Sequence, residues 1–484
     1  MRLRTRDLPV FPLSAGPVRP EVAPGVKAVD PRSFAIGPPD GPRLGLVTLG
    51  CDKNTVDSEH MMAALVGAGA HVTSDVDNAD VVVVNTCGFI DEAREQSIDK
   101  ILDACELKAR GRVRAVAAVG CMVQRYREEL QQEIPEVDLF LGIAEMARLV
   151  PELRARGYIE PGFVPNMEKP LRILSTKTRH VSFLKVSEGC DHRCAFCAIP
   201  HMRGLHRSAD PEGLVAEARA LGEQGVRELN LVSQDTTWYG RDLRRRDRNA
   251  PLLQDLLTAL LDGTDVDWYR LLYMYPSGIT PALVRLIARE PRLLPYLDMP
   301  LQHGSDRVLA RMRRPERQAT VRERVGWLRG EIDDLTLRTT VIVGFPGETE
   351  EDVDVMMEFL EEIRFDRVGA FAYSVEEGTA AAAMSGQVPE EIKVERLDRV
   401  MQHQRDLSLE ANLDRVGTRV KLLVDEVTPG VPGHDAVGRT QGQAPEVDGR
   451  TFVTGARGVR TGDIVEVEVV DADDHDLTGR LIHA

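Results

Sequence analysis

Aromatic rings are scarce in this chain: 3 Trp, 8 Tyr and 12 Phe in 484 residues, or 5%. A protein that coats single-stranded nucleic acid needs rings for base stacking and a cationic groove for the backbone. Positive charge is short as well, with 61 Lys and Arg against 77 Asp and Glu, a formal net charge of -16. The balance argues against general nucleic-acid coating, leaves room for local basic patches, and makes a basic protein an attractive partner. No apolar run approaches the roughly 20 residues of a membrane span, and the N-terminus lacks the apolar core of a signal peptide. A cytoplasmic protein with no membrane partner is expected. The 7 cysteines are an odd count, and in a reducing compartment such thiols point to metal ligation rather than disulfides.

What is present suffices for roughly three domains, judged from length, and a hydrophobic content of 43% is ample for their cores. Residues 1–43 hold nine prolines and a net charge of +3, the composition of a disordered tail. From 44 to 160 the texture changes. Apolar runs at 44–49, 81–84 and 115–119 alternate with helical patterns at 55–66, 91–109 and 123–133, which predicts an α/β domain with a doubly wound parallel sheet.

Cys51, Cys87 and Cys121 each follow one of these runs directly. Ligands of open parallel sheets bind outside the carboxyl ends of the strands, so the three are expected to converge as metal ligands, although single cysteines at such places are often only small buried residues. Cys105 differs. It continues a helical stripe with Ile98, Ile101 and Leu102 and is expected in the core.

A linker at 157–171 leads to a second domain at 176–410, with strands expected at 180–186, 228–233, 268–274, 296–299, 337–343 and 367–373. Six strand–helix repeats make a partial (β/α)6 barrel, whose chemistry belongs at the C-terminal ends of the strands. One intervening helix should start with Asp210 as N-cap and Pro211 as first residue. Loops at the strand ends carry Ser233-Gln234-Asp235-Thr236, Tyr275-Pro276, Pro300-Leu301-Gln302-His303 and Gly344-Phe345-Pro346-Gly347, the last leading into a capping box at Thr349 and Asp352.

The loop after the first of these strands holds Cys190, Cys194 and Cys197, with Ile199 and Pro200 behind them. Three thiolates can ligate three corners of an iron-sulfur cluster and leave the fourth free of protein thiolate, where patterns of four are usual. Zinc is the competing reading, with His192, His201 or His206 as fourth ligand.

Beyond a charged helix at 390–412, residues 413–484 turn all-β, as in a small barrel. Over 411–484 the net charge is -5 and Phe452 is the only ring. That is a poor grip for RNA and a suitable surface for a basic protein.

The cysteine loop resembles the signature of radical S-adenosylmethionine (SAM) enzymes. The two triads together resemble the methylthiotransferases, which have an N-terminal three-cysteine domain, a central partial barrel and a C-terminal TRAM domain. Within them the chain is similar to the RimO type, on Val232 to Thr237 (Val-Ser-Gln-Asp-Thr-Thr), Leu294 to His303 (Leu-Pro-Tyr-Leu-Asp-Met-Pro-Leu-Gln-His) and Ala444 to Gly449 (Ala-Pro-Glu-Val-Asp-Gly). The resemblance implies two 4Fe-4S clusters, one on Cys51, Cys87 and Cys121, the other on Cys190, Cys194 and Cys197 with SAM at its open iron. Phe196, Gln234, Gly344 and Pro346, in the cysteine loop and at strand ends, are the candidate SAM contacts, with a plain hydrophobic role as the equal alternative for Phe196. A methylthio group would be placed on the β-carbon of an aspartate in the twelfth protein of the small ribosomal subunit, by a monomer served by a flavodoxin- or ferredoxin-type electron donor and a sulfur donor. The competing readings are the tRNA-adenosine branch, of MiaB type, and a non-enzymatic metal scaffold that docks on ribosomes.

Overall fold

The computed structural model describes residues 34–160, 172–175 and 179–483. Most of the expected tail and of the expected linker therefore lies outside the described residues.

Four consecutive valines open the strand Val81–Thr86 and all are buried. A β-branched run of this kind needs cover on both faces, which a parallel sheet between helices supplies. Val81 and Val83 pack with Met61, Met62 and Leu65 of the helix Asp52–Gly67. Val82 and Val84 pack on the other face with Ile101, Met122 and Val123, from the helices Asp91–Ala109 and Cys121–Glu133. The sheet order is Ala35–Ile36, His71–Thr73, Arg43–Thr48, Val81–Thr86, Ala115–Gly120, Leu139–Gly142, parallel throughout except for its first strand.

That first strand corrects the assignment of all of 1–43 to a tail. Ala35–Ile36 pairs with His71–Thr73, and Phe34 and Ile36 pack against the first core. Two apolar side chains among prolines are enough to cover a sheet edge. The helical stripe is also narrower than expected. Cys105 and Ile101 are buried, but Leu102 is 47% exposed, because it lies one residue round from Ile101 on the solvent side.

The central domain is a six-stranded parallel sheet in sequential order: Val181–Lys185, Glu228–Val232, Trp268–Leu271, Leu293–Asp298, Thr336–Val343, Arg367–Ala372. It does not close, and Val181–Lys185 and Arg367–Ala372 are its edges. Asp210 Oδ2 accepts from the Gly213 N–H at 2.8 Å and Pro211 is the first residue of the helix Pro211–Glu223. Thr349 and Asp352 form the capping box of the helix Glu350–Ile363. The last domain is a closed five-stranded barrel.

The two outer domains cover opposite ends of the central one. The terminal barrel meets the N-terminal ends of the strands, where Arg439 reaches Glu228 at 2.7 Å and Leu423 and Ala444 enter the barrel core beside Trp268 and Tyr296. The N-terminal domain meets the C-terminal ends, where Lys185 pairs with Asp57. A further bridge joins Arg94 and Arg125 to the buried Glu376. No helix among the described residues is long and apolar enough to cross a membrane.

Candidate metal centres at the domain junction

Each cysteine of the first triad stands where a strand gives way to a helix. Cys51 is the N-cap of Asp52–Gly67, Cys87 follows Thr86 directly, and Cys121 is the first residue of its helix. Gly50, at φ +93°, makes room for them, since a Cβ there would stand 2.9 Å from Cys87 Sγ. Gly120, at φ +106°, turns against Asn85 and Thr86 where a Cβ would meet oxygen at 2.5 Å.

Asn54 ties the three loops together. Its amide donates to Leu49 O at 2.8 Å and to Thr86 O at 3.1 Å, and its Oδ1 lies 3.7 Å from Cys121 Sγ. Cys87 and Cys121 are buried and Cys51 is exposed. Burial pushes the Cys121 thiol up to about 12 and raises Cys87, and both remain within electrostatic reach of Cys51. Desolvation disfavours the thiolates, Arg203 offsets this in part, and a bound cation would favour them further.

The second triad lies across the junction. Gly189, at φ +76°, lets its loop pass 2.3 Å, measured to an ideal Cβ, from Leu205 O, and the Ala195 N–H donates to Met312 O at 2.9 Å. Burial, then the neighbouring Cys194, pushes Cys197 up to about 12; burial does the same to Cys190. Arg314 is buried with Nη1 3.8 Å from Cys194 Sγ, its guanidinium 4.0 Å from the centre of the Tyr275 ring and its Nε 3.2 Å from Glu316.

None of the three histidines completes a zinc site. His192 Nε2 is 2.7 Å from Asp235 Oδ2 and its ring stacks on Tyr275 at 4.3 Å. His206 faces Ser208 at 3.3 Å, and His201 is exposed. Among the described residues, no three His, Cys, Asp or Glu side chains close around a single ion. An iron-sulfur cluster, in which each cysteine binds a different iron, does not require three side chains around one ion.

The four SAM candidates all lie at strand ends, with different freedom to bind. The Gln234 amide is covered, and neither its nitrogen nor its oxygen has a partner, as a polar ligand would require. Phe196 is half-buried against Ala195, Met312 and Phe345. The Gly344 N–H donates to Glu348 at 2.8 Å and the Pro346 carbonyl accepts from Arg311 at 3.0 Å, so these groups are already engaged.

The link between the triads was missed by sequence reasoning. Arg203, in the helix Ile199–Arg203 behind the cysteine loop, donates to Asn54 Oδ1 at 2.6 Å, Glu188 at 2.8 Å and Asp57 at 3.2 Å. Ala198 and Met202 pack on Cys121 itself. Burial alone would raise Glu188, but Lys185 and then Arg203 pull its carboxyl down to about 2. The available signal was polar: Asn54, Asp57 and Ser58, at helical spacing, are all buried.

Comparison with known proteins follows the same division. The profile of the "Uncharacterized protein family UPF0004" matches residues 43–142, that of the radical SAM superfamily 184–360, and that of the TRAM domain 416–482. The chain is 45% identical over 447 residues to "Ribosomal protein uS12 methylthiotransferase RimO" of Desulforudis audaxviator, covering 91% of this chain and 97% of that one. It is 46% identical over 445 residues to the protein so named from Anaeromyxobacter sp. (strain Fw109-5), covering 91% and 93%. The Geobacter sulfurreducens counterpart is 43% identical over 451 residues, covering 91% and 98%. Among solved structures, the radical SAM methyltransferase TsrM from Kitasatospora setae shares the fold at TM-score 0.50 and 14% identity, over 87% of this chain and 81% of that one.

Proposed function

Because the chain belongs to the RimO-type methylthiotransferases, we propose that it places a methylthio group on the β-carbon of an aspartate in ribosomal protein uS12. The observation that carries this reading is the junction itself, where two cysteine triads flank one buried guanidinium, Arg203. As a radical SAM enzyme the protein uses a 4Fe-4S cluster and SAM. Cys190, Cys194 and Cys197 would hold that cluster; Cys51, Cys87 and Cys121 would hold a second one. Bound there, these groups supply the one-electron chemistry that opens an unactivated C–H bond and the sulfur that takes its place.

The chain's own residues do the rest. Gln234 offers its free amide to SAM, with Phe196 as an apolar wall. Arg314 holds positive charge beside Cys194. The apolar interior of the central domain, capped at its N-terminal end by the terminal barrel, would limit the water that reaches the reactive centre. The acidic, ring-poor last domain suits a basic ribosomal protein better than tRNA, and a flavodoxin- or ferredoxin-type donor and an external sulfur donor would complete the cycle. A scaffold would have no use for SAM.

Co-expression with uS12 followed by mass spectrometry of uS12 tests the reading. A methylthio mass increment on an aspartate is expected, and an increment found only on tRNA adenosine would refute it. Anaerobically purified protein should carry two 4Fe-4S clusters, and the triple substitution Cys51→Ala, Cys87→Ala, Cys121→Ala should leave one.

A further inference from the structure

We propose that Lys53 binds the carboxylate of the substrate aspartate; this rests on the uS12 reading above. Lys53 lies in the first turn of Asp52–Gly67, two residues past the exposed Cys51, and is itself only 7% exposed. Its ammonium stands 3.3 Å from the centre of the Tyr273 ring. Among the described residues no carboxylate lies within ion-pair distance of it, and its charge is favoured only at longer range, by Cys51 and Asp52 beside the Tyr273 contact. The other buried cations do have carboxylate partners, Arg203 with Asp57, Arg270 with Glu228, Arg314 with Glu316 and Arg396 with Glu348 among them. A buried ammonium answered by a tyrosine rather than by a carboxylate is only partly compensated, and an incoming carboxylate would add charge-assisted hydrogen bonds.

The place fits the chemistry. Tyr273 follows the strand Trp268–Leu271 and is held at φ +58°, a conformation a bulky residue adopts only under constraint. Its ring packs on the barrel interior with Trp268 and Tyr296, so Lys53 overhangs the barrel mouth from the domain that carries Cys51. In aspartate the β-carbon is bonded directly to the carboxyl carbon. Fixing the carboxylate at Lys53 therefore fixes the carbon to be opened, between the two triads.

The test uses the full-length protein and two fluorescent peptides copying the uS12 segment around the target, one with aspartate and one with asparagine in its place. By anisotropy, the wild type should bind the aspartate peptide about 10- to 100-fold more tightly, the range for a hydrogen bond to a charged group. Lys53→Met should bring the aspartate peptide to the asparagine level, and Lys53→Arg should restore the preference, with iron content reporting that each variant is folded. If Lys53→Met keeps the wild-type preference, or weakens both peptides alike, the assignment is wrong. If wild-type enzyme adds no methylthio mass to co-expressed uS12, the functional reading falls, and this inference with it.

Discussion

Arg203 donates to Asn54 Oδ1 at 2.6 Å, so the helix behind one cysteine loop is fastened to the helix that follows the first cysteine of the other. This pair, together with Asp57 answering Arg203 and Lys185, holds together two triads that belong to different domains.

Replacing Arg203 by Met leaves Asp57 and Glu188 with only Lys185 to answer them. Breaking a buried pair of this kind costs about 3–5 kcal/mol, measurable by denaturant unfolding. Methylthio transfer should fall further than SAM cleavage, and following both products on the same sample gives the ratio.

Asn54→Ala frees the loops ahead of Cys51 and Cys87 and leaves two buried carbonyls, Leu49 O and Thr86 O, without their donor. Each lost partner costs about 1–3 kcal/mol. Iron analysis is expected to fall from two clusters toward one, with the electron paramagnetic resonance signal of the remaining cluster still responding to SAM.

Glu188 makes stability pH-dependent. Its carboxyl is held down at about 2 in the fold, by Lys185 and Arg203 against the pull of burial. A depressed carboxyl contributes stability above its unfolded value near 4.5, and the contribution drains away as the pH falls from there to about 2. The amount is on the order of 3 kcal/mol. Unfolding free energies of wild type and Glu188→Gln should run parallel above pH 5 and converge below it.

Asp448 accepts from Tyr296 OH at 2.7 Å and from the Ala444 N–H at 2.8 Å, with Arg338 3.6 Å away. Asp448→Ala should loosen the terminal barrel by about 1–3 kcal/mol, seen as faster proteolysis around residues 413–418 with the thiols of both triads still able to bind iron.

The strands and the cysteines that end them were legible because their causes are local. Four valines in a row demand a covered sheet, and Asp210-Pro211 starts a helix wherever it stands. The pairings at the junction were not, since Arg203 and Asp57 are 146 residues apart and nothing near either names the other. Lys53, Asn54 and Asp57 also broke the assumption that a buried helix face is apolar. The Ala444–Gly449 segment, quoted as a mark of substrate choice, packs inward through Asp448 against Tyr296. The edge strand at Ala35–Ile36 was hidden by its prolines, because composition averages over the two side chains that matter.

A domain is seated against each end of the central barrel, and its six-stranded sheet does not close, leaving Val181–Lys185 and Arg367–Ala372 as edges. If the substrate is a folded protein, as proposed above, its aspartate would have to reach the junction on a segment narrow enough to enter the seam between domains. On that reading an aspartate on the broad face of a helix or sheet would be disfavoured by shape, and a projecting loop would be the favoured presentation.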